Sequence, residues 1–99
     1  MIRHVVLWGL VEQDPAKKAE AADFVAGQLM SLPALIPEIL ALTVSPNVLD
    51  ADGNWDLVLL GDFADEAALG VYLTHPEHLR VVAVIKAYLA KRAAVDILV

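Results

Sequence analysis

Ile2-Arg3-His4-Val5-Val6-Leu7-Trp8-Gly9-Leu10-Val11 is the stretch on which the fold turns. It is apolar, rich in β-branched residues and too short for a spanning helix, so it reads as a strand. Alternation puts Ile2, His4, Val6, Trp8 and Leu10 on one face, and Arg3, Val5, Leu7, Gly9 and Val11 on the other. A strand wetted on one side carries polar residues there. This one is apolar on both, so both faces are expected to be covered.

Working outward, Asp14-Pro15 predicts a helix start, with Asp as N-cap and Pro at the first helical position. Ala22, Val25, Ala26, Leu29 and Leu32 share one side of that helix, and Phe24 projects toward the polar side. Pro33 and Pro37 close the unit. Ile39 to Val48 reads as a second strand, with Pro46 arguing for an edge position. Asp50 to Asn54 has the composition of a turn. Trp55 to Phe63 reads as a third strand. Asp65 caps a short helix carrying Leu69, Tyr72 and Leu73, and Pro76 starts another that is expected to run to about Lys91. Ala93 to Val99 reads as the last strand.

The order β-α-β-β-α-β is the ferredoxin-like α+β plan, a four-stranded antiparallel sheet with helices on one face. It accounts for residues 1–99 as a single domain. Helices leave the other face open, yet the strands are apolar on both. The expectation is therefore a homodimer that pairs the open sheet faces. Composition agrees: 59% of the residues are hydrophobic and 20% charged, and mean hydropathy is +0.61.

The remaining composition excludes functions. Seven Lys+Arg against thirteen Asp+Glu give a net charge of −6, the wrong sign for a chain that must neutralise phosphates, so nucleic acid is not an expected partner. The longest uncharged stretch, Phe24 to Pro37, is interrupted by Ser31 and Pro33 and is too short to span a bilayer. No basic cluster suggests an anionic membrane surface. The absence of cysteine removes disulfides, thiolate nucleophiles and Cys-based metal sites. No signal-peptide pattern is seen at the N-terminus, and a cytoplasmic location is expected. His75-x-x-His78 straddles a helix break with no further ligands to complete a zinc set. Asp50-Ala51-Asp52-Gly53-Asn54 lacks the glycine and glutamate positions of a calcium loop. Neither a metal nor a cofactor is expected.

Chemistry then rests on three histidines, His4, His75 and His78, and on Tyr72. On the helix begun by Pro76, His78 shares a stripe with Val82, Ile85 and Leu89 and so points inward. It lies in the first turn, where the helix dipole favours a neutral imidazole able to act as a base. The same pattern fits a core histidine bonded to a carbonyl, and the spacing admits both. Tyr72 could offer its phenol to a ligand carbonyl or pack as an ordinary aromatic. His75 precedes proline and suits a cap as well as a pocket. His4 faces either the helices or the partner, and alternation leaves that open. Trp8 and Phe24 could line a cavity or fill it. His78 and Tyr72 are thus the candidate catalytic pair, and His4, His75, Trp8 and Phe24 the candidate binding residues for a small apolar or aromatic ligand.

Ile2-Arg3-His4-Val5-Val6-Leu7-Trp8, Ile36-Pro37, Asp56-Leu57-Val58-Leu59 and Asp62-Phe63-Ala64-Asp65 are followed by Leu69, Tyr72, His75-Pro76-Glu77-His78 and Val95-Asp96. Across its whole length the chain thus resembles the Dabb family, the stress-responsive dimeric A/B-barrel domain. The cluster Leu-x-x-Tyr-x-x-His-Pro-x-His is the most diagnostic part. The resemblance implies a ferredoxin-like protomer whose sheet packs on its partner's as a dimeric α+β barrel. It also implies roles: a plant polyketide cyclase of this fold uses the tyrosine and second histidine of the cluster, here Tyr72 and His78. The histidine there removes a proton from carbon and the tyrosine polarises the carbonyl, with His4 lining the cavity. Glu38 stands where the family commonly has glycine, and Gly9 and Leu10 where many members are basic.

Two kinds of function follow. One is a small-molecule pocket protein, in its most specific form a cofactor-independent lyase or cyclase. The other is a non-catalytic, stress-associated structural oligomer. A cofactor-free monooxygenase is a further alternative, by analogy of fold alone.

Overall fold

A computed structural model describes residues 1–99. Strand β1 (Ile2–Leu10) leads to helix α1 (Pro15–Met30), strands β2 (Ala41–Pro46) and β3 (Leu57–Phe63), helices α2 (Glu66–Thr74) and α3 (Pro76–Ile85), a 3₁₀ turn (Lys86–Tyr88) and strand β4 (Leu89–Leu98). The sheet order is β2-β3-β1-β4, with every neighbouring pair antiparallel. This is the ferredoxin-like plan expected from the sequence.

Local chemistry accounts for the element starts. The Asp14 carboxylate accepts the Lys17 N–H at 3.3 Å and Pro15 opens α1. Asp65 accepts the Ala68 N–H at 2.8 Å to begin α2. Each fills a donor the first turn leaves without a helical partner. Gly53, the one residue with positive φ (86°), forms the hairpin turn between β2 and β3. Pro46 ends β2 on the sheet edge, where its missing N–H costs nothing.

The core lies between the sheet and α1. Val25, Leu29 and Leu32 pack with Val6, Leu59 and Phe63, all buried. Each such side chain contributes about 1.5–3 kcal/mol by leaving water. A partly buried polar tie fixes the end of β1. The Asp56 carboxylate accepts the Leu10 N–H at 2.8 Å and the Lys18 ammonium at 3.1 Å. Burial pushes this carboxyl up, but the bonds from Leu10, Lys18 and Gln13 outweigh it and hold the group below the usual carboxylate range.

Two expectations need correction. The last helix stops at Ile85 rather than near Lys91, and β4 begins at Leu89, four residues before Ala93. Leu89 to Arg92 hydrogen-bond along β1 opposite Leu10 to Trp8, across a register shift at Gly9/Leu10. Pairing with a central strand there overrides the helix preference of Lys, Ala, Leu and Arg. The second and third strands are also shorter than read, because Asn47 to Asp56 belong to the connecting loop.

β1 settles the question of faces. His4, Val6, Trp8 and Leu10 point to the helices and are buried, whereas Val5 and Leu7 are only partly covered. On the open face Val5 and Leu7 lie beside Leu60, Val58, Val95 and Ala93 in register. Arg3 and Asp62 pair there through two hydrogen bonds of 2.8 and 3.1 Å. No helix is long and apolar enough to cross a membrane.

Candidate functional site

The break between α2 and α3 builds the site. His75 is extended (φ −63°, ψ 137°), since the proline that follows disfavours the helical region for it. Its Nδ1 accepts the Glu77 N–H at 3.1 Å, so His75 is the N-cap of α3. The bend carries the first turn of α3 back over the last turn of α2. There the His78 Nδ1 donates to the Leu73 carbonyl at 3.1 Å, and the imidazole stands 4.4 Å, centroid to centroid, from the Tyr72 ring.

A cavity of about 370 Å³ opens beneath this junction, between α2 and α3 on one side and β1 and β4 on the other. His4, Trp8, Tyr72 and His78 line it, and most of the remaining wall is apolar. Tyr72 is 1% exposed and rests on Phe63 at 5.0 Å, with the His4 ring edge-on at 6.4 Å. Its hydroxyl takes no partner within the chain and faces the cavity. His4 is held from behind, its Nδ1 2.6 Å from the Asp96 carboxylate on β4.

The electrostatics assign protonation states. A carbonyl only accepts, so the neutral His78 ring carries its proton on Nδ1 and leaves the Nε2 lone pair free. Burial foremost lowers the pKa of His78, helped by the charges of His4, Arg92 and His75 and opposed by the Leu73 hydrogen bond. The ring is therefore neutral at pH 7. Burial pushes the Tyr72 phenol up to about 12, with only partial relief from Arg92. Tyr72 thus remains a hydroxyl donor. A neutral imidazole lone pair and a hydroxyl donor facing one apolar cavity can deprotonate a carbon acid and hold the resulting oxyanion.

Of the six residues singled out in the sequence, four meet at this cavity: His4, Trp8, Tyr72 and His78. His75 stands at the junction as a cap, outside the lining. Phe24 is also elsewhere; it stacks on Tyr88 at 4.9 Å and lines a separate groove with Val11. The stripe of His78, Val82 and Ile85 faces the cavity rather than a solid core, and Val81 and Ile85 make the buried contacts of α3. Lys86 and Arg92, which sequence reading passed over, also line the cavity. Their signal was present: Lys86, Lys91 and Arg92 are three of seven cations within a short span. No three His, Cys, Asp or Glu side chains converge to hold a metal ion.

The family model described as Stress responsive A/B Barrel Domain matches residues 2–99. Among solved structures, the chain is similar to a dimeric ferredoxin-like protein of unknown function from Thermobifida fusca. Identity is 31% and the TM-score 0.82, over 99% of this chain and 90% of that one. A dimeric protein of unknown function and ferredoxin-like fold from Bacteroides fragilis is 26% identical with a TM-score of 0.85, covering 97% and 93%. A hydroxynitrile lyase from Passiflora edulis shares the fold at 15% identity, with a TM-score of 0.80 over 99% and 92%. No curated protein sequence gives a significant match.

Proposed function

The chain belongs to the stress-responsive A/B barrel (Dabb) family, and from that premise we propose that it forms a cytoplasmic homodimer in which each protomer binds a small apolar or aromatic molecule and performs cofactor-independent proton transfer. His78 is the base and Tyr72 the hydrogen-bond donor. One observation carries this reading: the Leu73 carbonyl fixes the proton of His78 on Nδ1, leaving Nε2 free in the same cavity as the unpartnered Tyr72 hydroxyl.

Substrate binds with a carbonyl oxygen toward Tyr72 and the adjacent C–H toward His78 Nε2. The imidazole takes the proton while the electron pair of the C–H bond moves into the carbonyl, and the Tyr72 hydroxyl donates to the forming enolate oxygen. The imidazolium then returns its proton, either to the same carbon or to a leaving group. His4, oriented by Asp96, shapes the wall beside Tyr72. The dimer reading rests on the apolar open face and on the dimeric relatives from Thermobifida fusca and Bacteroides fragilis. The Passiflora edulis lyase shares architecture alone.

The test is deuterium incorporation from D₂O into the benzylic carbon of phenylacetone, followed by proton NMR. The wild-type chain should exchange that carbon faster than buffer. His78→Gln should slow the protein-dependent rate by about 10²-fold or more, the usual contribution of a positioned base. Tyr72→Phe should also slow it while leaving thermal stability nearly unchanged, since the hydroxyl has no partner to lose. Exchange no faster than buffer for wild-type protein shown to bind the ketone would sink the base assignment. Tyr72→Phe unfolding far below the wild type would favour the structural oligomer instead.

A further inference from the structure

The site's charges have one sign. The chain holds thirteen acidic residues against seven Lys+Arg, yet none of the acidic residues lines the cavity, whereas Lys86, Lys91 and Arg92 do. The other cations are mostly occupied. Arg3 pairs with Asp62, Lys18 with Asp56 and Arg80 with Glu77, and Lys17 borders the separate groove around Phe24. Lys91 is also engaged: its ammonium lies 4.4 Å from the Trp55 ring centroid and its stem crosses Gly9. That leaves Lys86 and Arg92 as lining cations with no carboxylate partner. In a chain of net charge −6, two unpaired cations at an apolar cavity are a local reversal of charge.

Their placement is directional. Arg92 lies opposite Trp8 in the β1–β4 register, and Asp96 lies opposite His4. His4 and Trp8 are four residues apart on one strand, which is about 13 Å. The acid–base group formed by Tyr72 and His78 is gathered toward the His4 end. The cations belong to the Trp8 end, where the 3₁₀ turn carrying Lys86 leads into β4. The Arg92 charge reaches across the cavity to both Tyr72 and His78, and the rest of the lining is mostly apolar. Asp96 lies opposite His4, at the other end of the β1–β4 pairing from Arg92, and is bonded to that histidine.

We propose that the ligand is an apolar carboxylic acid, its carboxylate held by Arg92 and Lys86 and its reacting carbon presented to His78. The proposal rests on the pocket reading given above and specifies the substrate class of that same site. Arginine suits a carboxylate because its planar fork can donate two parallel hydrogen bonds. The mostly apolar lining of the cavity suits an aryl or alkyl body on that acid.

Calorimetric titration with 4-phenylbutyrate and with its neutral isostere, 4-phenylbutyramide, tests it. The acid should bind about tenfold tighter or more, the scale of one charge-assisted hydrogen bond. Arg92→Gln combined with Lys86→Gln, both at exposed positions, should erase that preference, bringing acid binding down to the level of the amide. If the amide binds as tightly as the acid, or the double variant keeps the preference, the charge assignment is overturned and the apolar pocket stands. If neither probe binds the wild type at millimolar concentration, the pocket reading beneath it falls too.

Discussion

The base role proposed for His78 depends on its remaining uncharged. Its folded-state pKa is depressed, mainly by burial, whereas an unfolded chain titrates near the ordinary 6.5. Between those two values the unfolded chain binds the extra proton, so acid favours unfolding. The contribution is complete above about pH 6.5 and is lost as pH falls through the depressed value. Urea unfolding at pH 7.5 and pH 5.5 should show the wild type losing stability over that interval. His78→Gln should lose less. Parallel losses would mean that the ring is not held neutral. The same residue shows what sequence could and could not reveal. Helical spacing placed His78 inward, but spacing cannot tell a filled core from a void, because that depends on what the opposite layer supplies. For His4 the missing information was which sheet face the helices cover, and only the assembled topology decides it.

Between α2 and α3 the working part is a cap made by an unusual residue. His75 accepts the Glu77 N–H through Nδ1, doing with an imidazole what Ser or Asp does elsewhere. Replacing it with Ala should cost about 1 kcal/mol, seen as a lower urea midpoint, and His75→Ser should recover most of it. A His75→Ala chain as stable as wild type would show that the junction is held by Pro76 and packing alone. The cap matters because the bend it secures aims His78 at Tyr72. Prolines and the Asp65 and Asp14 caps made the element starts legible in the sequence. Element ends were harder to read. Lys86 to Arg92 carries good helix formers, and the pull that turns it into strand comes from β1, far away in sequence. Lys86 was missed for that reason: read as part of a helix, it had no face in common with His4 or Trp8, and Arg92 fell between that helix and the strand expected from Ala93.

For the whole molecule, the sheet is one layer with different work on its two sides. Leu60, Val95 and Ile97 are 40%, 55% and 43% exposed on the face away from the helices, beside partly covered Val5 and Leu7. A surface of that kind is what a stable pair of protomers would bury, about 800 Å² from each partner. Arg3 and Asp62 enter such an interface already neutralised by one another, which limits the cost of taking their charges out of water. Leu60→Glu would bring one unpaired carboxylate from each copy to the same face. In sedimentation the wild type should run at twice the 10.7 kDa chain mass, and Leu60→Glu as the single chain. A variant that remains dimeric would put the interface elsewhere. The two-faced strand is what raised this expectation from sequence, since no packing within one ferredoxin-like layer covers both Val5 and Val6.

β1 alternates its side chains between these two settings: His4, Val6 and Trp8 toward the cavity, Val5 and Leu7 toward the open face. The β1 residues that line the cavity lie one sheet's thickness from the open face on which the partner is proposed to pack. A message from one cavity to the other would have to shift the backbone of β1, which is hydrogen-bonded to β3 on one side and β4 on the other. Coupling between sites requires a second position of that strand, and its pairing on both sides opposes one. The paired protomers would therefore fill as independent sites, without cooperativity, and the partner's role would be to shelter apolar surface rather than to regulate occupancy.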